Sequence, residues 1–388
     1  GLNYLSSLQG SRKAHREWWL SQRFSLLDAK YVDGDFRADV IQMLIPADGV
    51  KQYNFSITAA QELYFGWGVN NVVKESGVHL KKGESHTFTT NQAFAIGDPV
   101  RIYAGPEIAS VDIHEMGNVI AHLNVNGAYS ERKGTNLEKL VVGGEGVSNT
   151  ALTSGNFTGL ADCAKLKYLD IRGMKGLTDI DTAGLTHLET LLLDNSGLTS
   201  LTLKNCPVAS LSLPSSIISL DIEGLTKLNS LSIDTTALRT LTVKNCAADI
   251  FDMLKNWAID SSKQYSIDIE DVNWKGKTTA DAIAVGQKIK SVGGTLKGRI
   301  EVDSITSDNY QQLMEVFGDN CFSARSSMYV YAKGGTLIVL APKSIVEGRT
   351  GKISVVGAEE GATVSFVVTG GSDRATVDNK GTVTVKET

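Results

Sequence analysis

The pattern that organises this chain is a triplet of apolar residues, the second three positions after the first and the third two positions after the second. Clear copies are Leu166-Leu169-Ile171, Leu188-Leu191-Leu193, Leu198-Leu201-Leu203, Val208-Leu211-Leu213, Ile217-Leu220-Ile222, Leu228-Leu231-Ile233 and Leu238-Leu241-Val243. Weaker copies precede them at Ile108-Val111-Ile113, Ile120-Leu123-Val125 and Leu137-Leu140-Val142. On an extended chain, residues two apart point to the same side. Each copy therefore predicts a short strand with its last two apolar side chains turned inward and polar residues between and around them.

The central apolar position advances through 191, 201, 211, 220, 231 and 241. Leucine-rich coils that hold a strand and a helix take about 20–29 residues. A step near ten therefore predicts two strands per coil of about 21 residues, one on each side of a flattened leucine-rich-repeat solenoid. Cys206 and Cys246 each stand three residues after the last apolar position, where the repeat pattern places a small side chain in a turn.

Past Val243 the periodicity changes. Ile250, Met253, Leu254 and Trp257 have helical spacing over 249–258, and so do Ile283, Gln287 and Ile289 over 279–292. A third helix is expected over 307–318, with Asp308 and Asn309 in its first turn and Gly318 at its end. Strands are expected between these helices at 265–269, 298–302 and 328–331, so the later coils become α/β and cover the end of the core.

Three further regions flank the repeats. Residues 1–47 predict a helix capped by Ser11, with Leu20, Phe24, Leu27 and Tyr31 on one stripe, followed by an extended segment. Arg12, Lys13, His15, Arg16 and Arg23 make this helix basic, which suits either a solvated face or a partner-docking one. Trp18 and Trp19 point about 100° apart on a helix and cannot both join one narrow stripe. Residues 48–106 predict a small β-sandwich with strands at 53–57, 62–67, 85–89 and 100–103. Residues 333–388 predict strands at 336–342, 352–356, 363–368, 375–378 and 382–385. The repeats occupy 107–332. The expected fold is thus β-dominated and multidomain: an N-terminal helix and β-sandwich, a solenoid of parallel short strands with α/β coils at its end, and a C-terminal β-sandwich module.

Composition narrows the function. A formal net charge of −5 disfavours a protein that neutralises phosphates over its whole surface, so nucleic acid is not an expected partner. Apolar runs such as 337–342 fall far short of the roughly 20 residues needed to span a bilayer. No charged-then-apolar leader pattern opens the sequence. Cys163, Cys206, Cys246 and Cys321 lack metal-knuckle or redox-pair spacing and read as buried thiols. His114-Glu115 lacks the second histidine of a zinc-protease helix, and His122 lies too far along to supply it. Gly143-Gly144-Glu145-Gly146 follows a repeat strand without a clear helix after it and reads as a wide turn. Asp170, Asp194, Asp221 and Asp234 flank repeat strands without evident pairing. No catalytic, cofactor-binding or metal-binding residue is assigned, and an enzyme is not expected. Candidates for an interface are the aromatics Trp18, Trp19, Trp67 and Trp274, because aromatic residues concentrate in contact centres. Trp67, between Gly66 and Gly68, suits either a contact or a core position.

Three resemblances can be placed on particular segments. Leu198-Thr-Ser-Leu-Thr-Leu-Lys-Asn-Cys206 and Leu238-Arg-Thr-Leu-Thr-Val-Lys-Asn-Cys246 are similar to short repeats of leucine-rich proteins from Bacteroides-type bacteria and their phages. Ala375-Thr-Val-Asp-Asn-Lys-Gly-Thr-Val-Thr-Val385 resembles the closing motif of bacterial group 2 immunoglobulin-like domains. That resemblance implies a partial immunoglobulin-like module whose chain continues past Thr388, and the opening glycine suggests a trimmed start. Gln9-Gly-Ser-Arg-Lys-Ala-His-Arg-Glu-Trp-Trp-Leu-Ser-Gln-Arg-Phe24 with Leu27-Asp-Ala-Lys-Tyr31, then the repeats and the module, resembles tail-associated structural proteins of gut phages, including the crAss-like group. The resemblance implies a non-catalytic virion component that assembles with other parts or touches a host surface. A bacterial cell-surface or secreted adhesion protein is the alternative. In either case the partner is a protein or glycan surface, with no cofactor and no membrane insertion, and a homo-oligomer or larger assembly stays open.

Overall fold

The computed structural model describes residues 42–45, 54–69, 72–89, 98–103, 108–125, 136–334, 338–342, 344–356, 363–368 and 373–386. The expected N-terminal helix, with Trp18 and Trp19, lies outside them. Within them the protein is β-dominated, with few helices, several sheets and no closed barrel. No helix among the described residues is long and apolar enough to cross a membrane. The chain divides into two compact units, Gly1–Thr240 with Cys246–Ala248, and Leu241–Asn245 with Asp249–Thr388.

The first unit begins with β1 (Gln42–Ile45), β2 (Asn54–Ala59), β3 (Leu63–Val69), β4 (Val72–Leu80), β5 (Ser85–Thr89), β6 (Asp98–Tyr103) and β7 (Ile108–Asp112). It continues with β8 (His122–Asn124), β9 (Lys139–Val141), β10 (Phe157–Thr158), β11 (Tyr168–Asp170), β12 (Thr190–Leu192), β13 (Ser200–Lys204), β14 (Ser210–Ser212) and β15 (Ser219–Glu223). One sheet runs β14-β12-β11-β9-β7-β2-β5. From β7 to β14 its strands are parallel and in register, so that Val111, Leu140, Leu169, Leu191 and Leu211 are successive Cα partners. The first four are completely buried. Each buried leucine of this kind contributes about 1.5–3 kcal/mol. β13 and β15 also pair in parallel, Leu201 beside Leu220 and Leu203 beside Ile222, so successive strands from β12 to β15 alternate between two ladders.

The turns leaving these strands share a backbone device. Two residues beyond Ile171, Leu193, Leu203 and Ile222 stand Gly173, Asn195, Asn205 and Gly224, with φ of 79°, 56°, 51° and 68°. Left-handed backbone excludes most side chains but is tolerated by glycine and asparagine. At Gly173 the requirement is double, because a Cβ there would lie 1.9 Å from the Val147 carbonyl oxygen. Upstream, the buried Asn149 fastens another turn: its Nδ2 donates to the Gly117 and Ile120 carbonyls, both at 2.7 Å, and its Oδ1 accepts the Ala151 and Leu152 amides.

Two features depart from the sequence reading. The stretch 48–106 is not set apart at residue 106: β2 pairs with β7, Ile57 opposite Val111, and β1, β3, β4 and β6 share a sheet with β8 and β10. The copy Leu228-Leu231-Ile233 buries its leucines but forms no strand. β14 is consequently an edge, and its Leu211 and Leu213 flank are only half-buried.

The second unit holds all but the first residue of β16 (Thr240–Lys244), then α1 (Phe251–Asn256), β17 (Ser266–Lys277), α2 (Thr279–Ser291), β18 (Thr295–Val302), α3 (Tyr310–Phe317) and β19 (Met328–Ala332). β16 to β19 are successive neighbours in one sheet, with β17, β18 and β19 parallel. Asn245, two residues past Val243, repeats the left-handed exit with φ 48°. Thr278 caps α2 by accepting the Asp281 amide at 3.1 Å. Further along α2, Lys288 donates to the Leu254 and Lys255 carbonyls at the end of α1, and Lys290 to the Glu315 carbonyl of α3. Cations there complement the negative end of a helix dipole. Gly286 lets α3 approach, since a Cβ at that position would lie 2.3 Å from Val316 Cγ1.

The chain then forms β20 (Ile338–Leu340), β21 (Thr350–Lys352), β22 (Ser354–Val356), β23 (Ala375–Val377) and β24 (Thr382–Val385). β20 pairs with β22, and β24 lies between β21 and β23, all antiparallel. The strand expected over 363–368 alternates exposed and half-buried positions but joins no ladder.

Candidate binding face

Two of the aromatic interface candidates are core residues. Trp67 is 4% exposed and meets Phe55 and Phe88 edge-on, at ring-centroid distances of 6.0 and 6.2 Å. Trp274 is 2% exposed and stands edge-on to Phe251 at 5.1 Å. Strand alternation turns each inward against those rings, so neither offers a face to a partner. Trp18 and Trp19 fall outside the described residues.

Among the described residues, reactive side chains are dispersed. His114 Nδ1 lies 2.5 Å from Asp112 Oδ1, and neighbouring Glu115 accepts the Asn54 amide. Among the described residues no three His, Cys, Asp or Glu side chains converge as a metal-ligand set. All four cysteines are free thiols. Burial pushes Cys321 up to about 12 and raises Cys206 as well, the opposite of what activates a thiol. Two of the carboxylates beside these strands have partners. Asp221 approaches Lys204 at 3.4 Å, and hydrogen bonds from Thr236 hold Asp234 below the usual carboxylate range.

The best-formed polar surface is the outer side of the parallel ladder in the first unit. Ser110, Lys139, Tyr168, Thr190 and Ser210 form one row of successive partners. Asp112, Val141, Asp170, Leu192 and Ser212 form the next. Strands stand about 4.8 Å apart, so these five span roughly 19 Å. Lys139 Nζ sits 4.8 Å from the Tyr168 ring centroid, a cation–π contact that steadies the ring. Asp170 occupies an outward position yet is buried, because Arg172 bends back over it with Nη2 at 2.7 Å from Oδ2 and Nε at 3.0 Å from Oδ1. The hydrogen bond to Asp170 raises the Arg172 guanidinium above its ordinary value. Half-exposed Val141 and Leu192 flank the pair. The result is a flat face with a braced tyrosine, a held arginine, two aliphatic side chains and a border of hydroxyls.

The period-2 alternation of Tyr168-Leu-Asp-Ile-Arg172 places Tyr168, Asp170 and Arg172 on one side of a strand, the signal in the sequence by which this face could have been found. The second unit has an outer face of its own. Asn273, Arg299 and Tyr329 are cross-strand partners there, Arg299 lies 5.5 Å from the Tyr329 ring, and Tyr329 stacks on Tyr331 at 5.1 Å. Its acids are matched, Asp268 to Lys244 at 2.7 Å and Glu270 to Lys297 at 3.1 Å.

No protein-family profile, no curated protein and no solved structure matches this chain.

Proposed function

We propose that this chain is a non-catalytic structural and binding protein, built on a leucine-rich-repeat solenoid with an immunoglobulin-like module at its C-terminal end. In this reading it is a phage tail or virion-associated component that mediates assembly or contact with a host surface. The observation that carries it is the in-register ladder from Val111 through Leu140, Leu169 and Leu191 to Leu211. A stack of this kind fixes the outward residues at constant spacing, which suits recognition of an extended partner. Tyr and Arg are residue types that dominate contact centres, and Tyr168 and Arg172 are pre-positioned at the middle of that spacing. The partner is a protein or glycan surface, and no cofactor takes part.

Mass spectrometry of purified phage particles from a host that carries the gene tests this reading. The chain is expected among the particle proteins. Its absence from particles, together with its presence in the protease-accessible cell-surface fraction, would transfer the same face to a bacterial surface or secreted adhesion protein.

A further inference from the structure

The second unit contains a cleft of about 660 Å³, within the range of about 300–1,000 Å³ usual for small-ligand sites. Tyr310 and Met314, one turn apart on the same side of α3, form one wall with the turn that follows the helix. The opposite wall comes from β20 and β22, where Leu340 and Ser354 are direct cross-strand partners, and from Lys352 at the end of β21.

The polar groups of this cleft differ from those of the two sheet faces. On the faces, Lys204, Lys244 and Lys297 are each paired with a carboxylate. In the cleft, the side chains of Tyr310, Asp319, Asn320, Lys352 and Ser354 make no hydrogen bond among the described residues, although the Lys352 charge is felt by Asp378 and that of Asp319 by Cys321. Met314, Phe322, Leu340 and Val356 supply apolar surface beside them. A concavity with apolar lining and a few polar groups that keep their hydrogen-bonding capacity is the usual form of a ligand site.

We propose that this cleft binds one to a few units of an uncharged oligosaccharide. The Asp319 carboxylate and the adjacent Asn320 amide offer acceptors and donors to neighbouring hydroxyls. Lys352 and Ser354 supply donors and a hydroxyl from the other wall, while Phe322 and Met314 cover the C–H face of a sugar ring. Asp319 and Lys352 carry opposite charges, so the cleft has no net sign and favours a neutral ligand over a polyanion. The inference rests on the reading of the chain as a binding protein and names its ligand class. It does not depend on where the protein resides.

The test is binding of the full chain to a printed array of neutral and sialylated oligosaccharides, followed by titration calorimetry with the best neutral hit. Asn320→Ala and Lys352→Ala, both at exposed positions, are each expected to weaken binding about tenfold, as loss of one ligand hydrogen bond implies. An unchanged circular dichroism spectrum establishes that the variants fold. No binding to any neutral glycan, a preference confined to sialylated ones, or neutral binding that both variants leave intact would overturn the proposal. So would capture of extended peptides that Lys352→Ala abolishes while glycans do not compete. None of these outcomes bears on whether the chain is found in phage particles, so the two readings fail separately.

Discussion

Arg172 covers Asp170, and the carboxylate beneath it is 2% exposed although its strand position points away from the core. The arrangement is asymmetric, since the guanidinium remains a third exposed while the carboxylate has lost its water. Removing the arginine alone leaves a buried negative charge. Arg172→Ala is therefore expected to destabilise the first unit by about 2–4 kcal/mol, towards the lower end because water can reach the vacated space. Replacing both residues, Asp170→Leu with Arg172→Leu, should recover most of that loss. Urea midpoints of the three proteins check this, and a single variant as stable as the parent would refute the account.

The left-handed strand exits give a second prediction. Asn195 and Asn205 have φ of 56° and 51°, where an alanine meets steric opposition of about 1–2 kcal/mol and a glycine meets none. Asn205→Ala should lower stability by that amount, and Asn205→Gly should leave it within about 0.5 kcal/mol. Equal destabilisation by alanine and glycine would mean that the asparagine side chain, not its backbone, holds the turn.

Those same turns mark the boundary of what the sequence made legible. Leu191, Leu201 and Leu211 stand ten residues apart, a step that predicts the alternating strands β12, β13 and β14, because period 2 and a ten-residue step are local properties. Asn205 and Asn245 stand within Lys-Asn-Cys, where the small cysteine suits a turn, but it is the asparagine that bends the chain. Burial of Trp67 was undecidable, since its neighbours are two glycines and the rings that enclose it, Phe55 and Phe88, come from other strands. The Leu228-Leu231-Ile233 copy has the pattern of a strand without a ladder partner, and hydrogen bonding, not the pattern, decides that a strand exists. The face around Tyr168 and Arg172 was readable in its alternation, but the fold of Arg172 back onto Asp170 is a tertiary fact. The cleft near Tyr310 and Lys352 draws on a helix, a turn and three strands, and no local spacing announces it.

Gly286 yields a third prediction by setting two effects against each other. Within a helix, alanine is favoured over glycine by about 0.8–1 kcal/mol. At this position, however, the added Cβ would stand 2.3 Å from Val316 Cγ1 and 2.7 Å from Phe317 Cε1. Overpacking of that kind costs about 1–3 kcal/mol, so it wins. Gly286→Ala should lower the unfolding temperature, and adding Val316→Ala should restore part of it. A Gly286→Ala protein more stable than its parent would show that α3 can move aside.

Acid dependence supplies the fourth. Asp303 accepts both the amide and the hydroxyl of Thr279 at the start of α2, at 2.9 and 2.6 Å, and these bonds hold it below the usual carboxylate range. Asp268 is lowered likewise, first by Lys244 and then by Thr295. In the unfolded chain both carboxylates return to about 3.9. A group whose folded value is depressed stabilises the protein fully above its unfolded value, and that contribution disappears as pH falls through the folded value. Stability of the second unit should thus be flat from pH 7 to about 5 and decline below about 4. Asp303→Asn should be less stable than the parent at pH 7, and the gap should narrow as pH falls below about 4, because asparagine keeps the acceptor but carries no charge to lose. Parallel pH profiles for the two proteins would place the acid sensitivity elsewhere and leave Asp303 as a neutral hydrogen-bond acceptor.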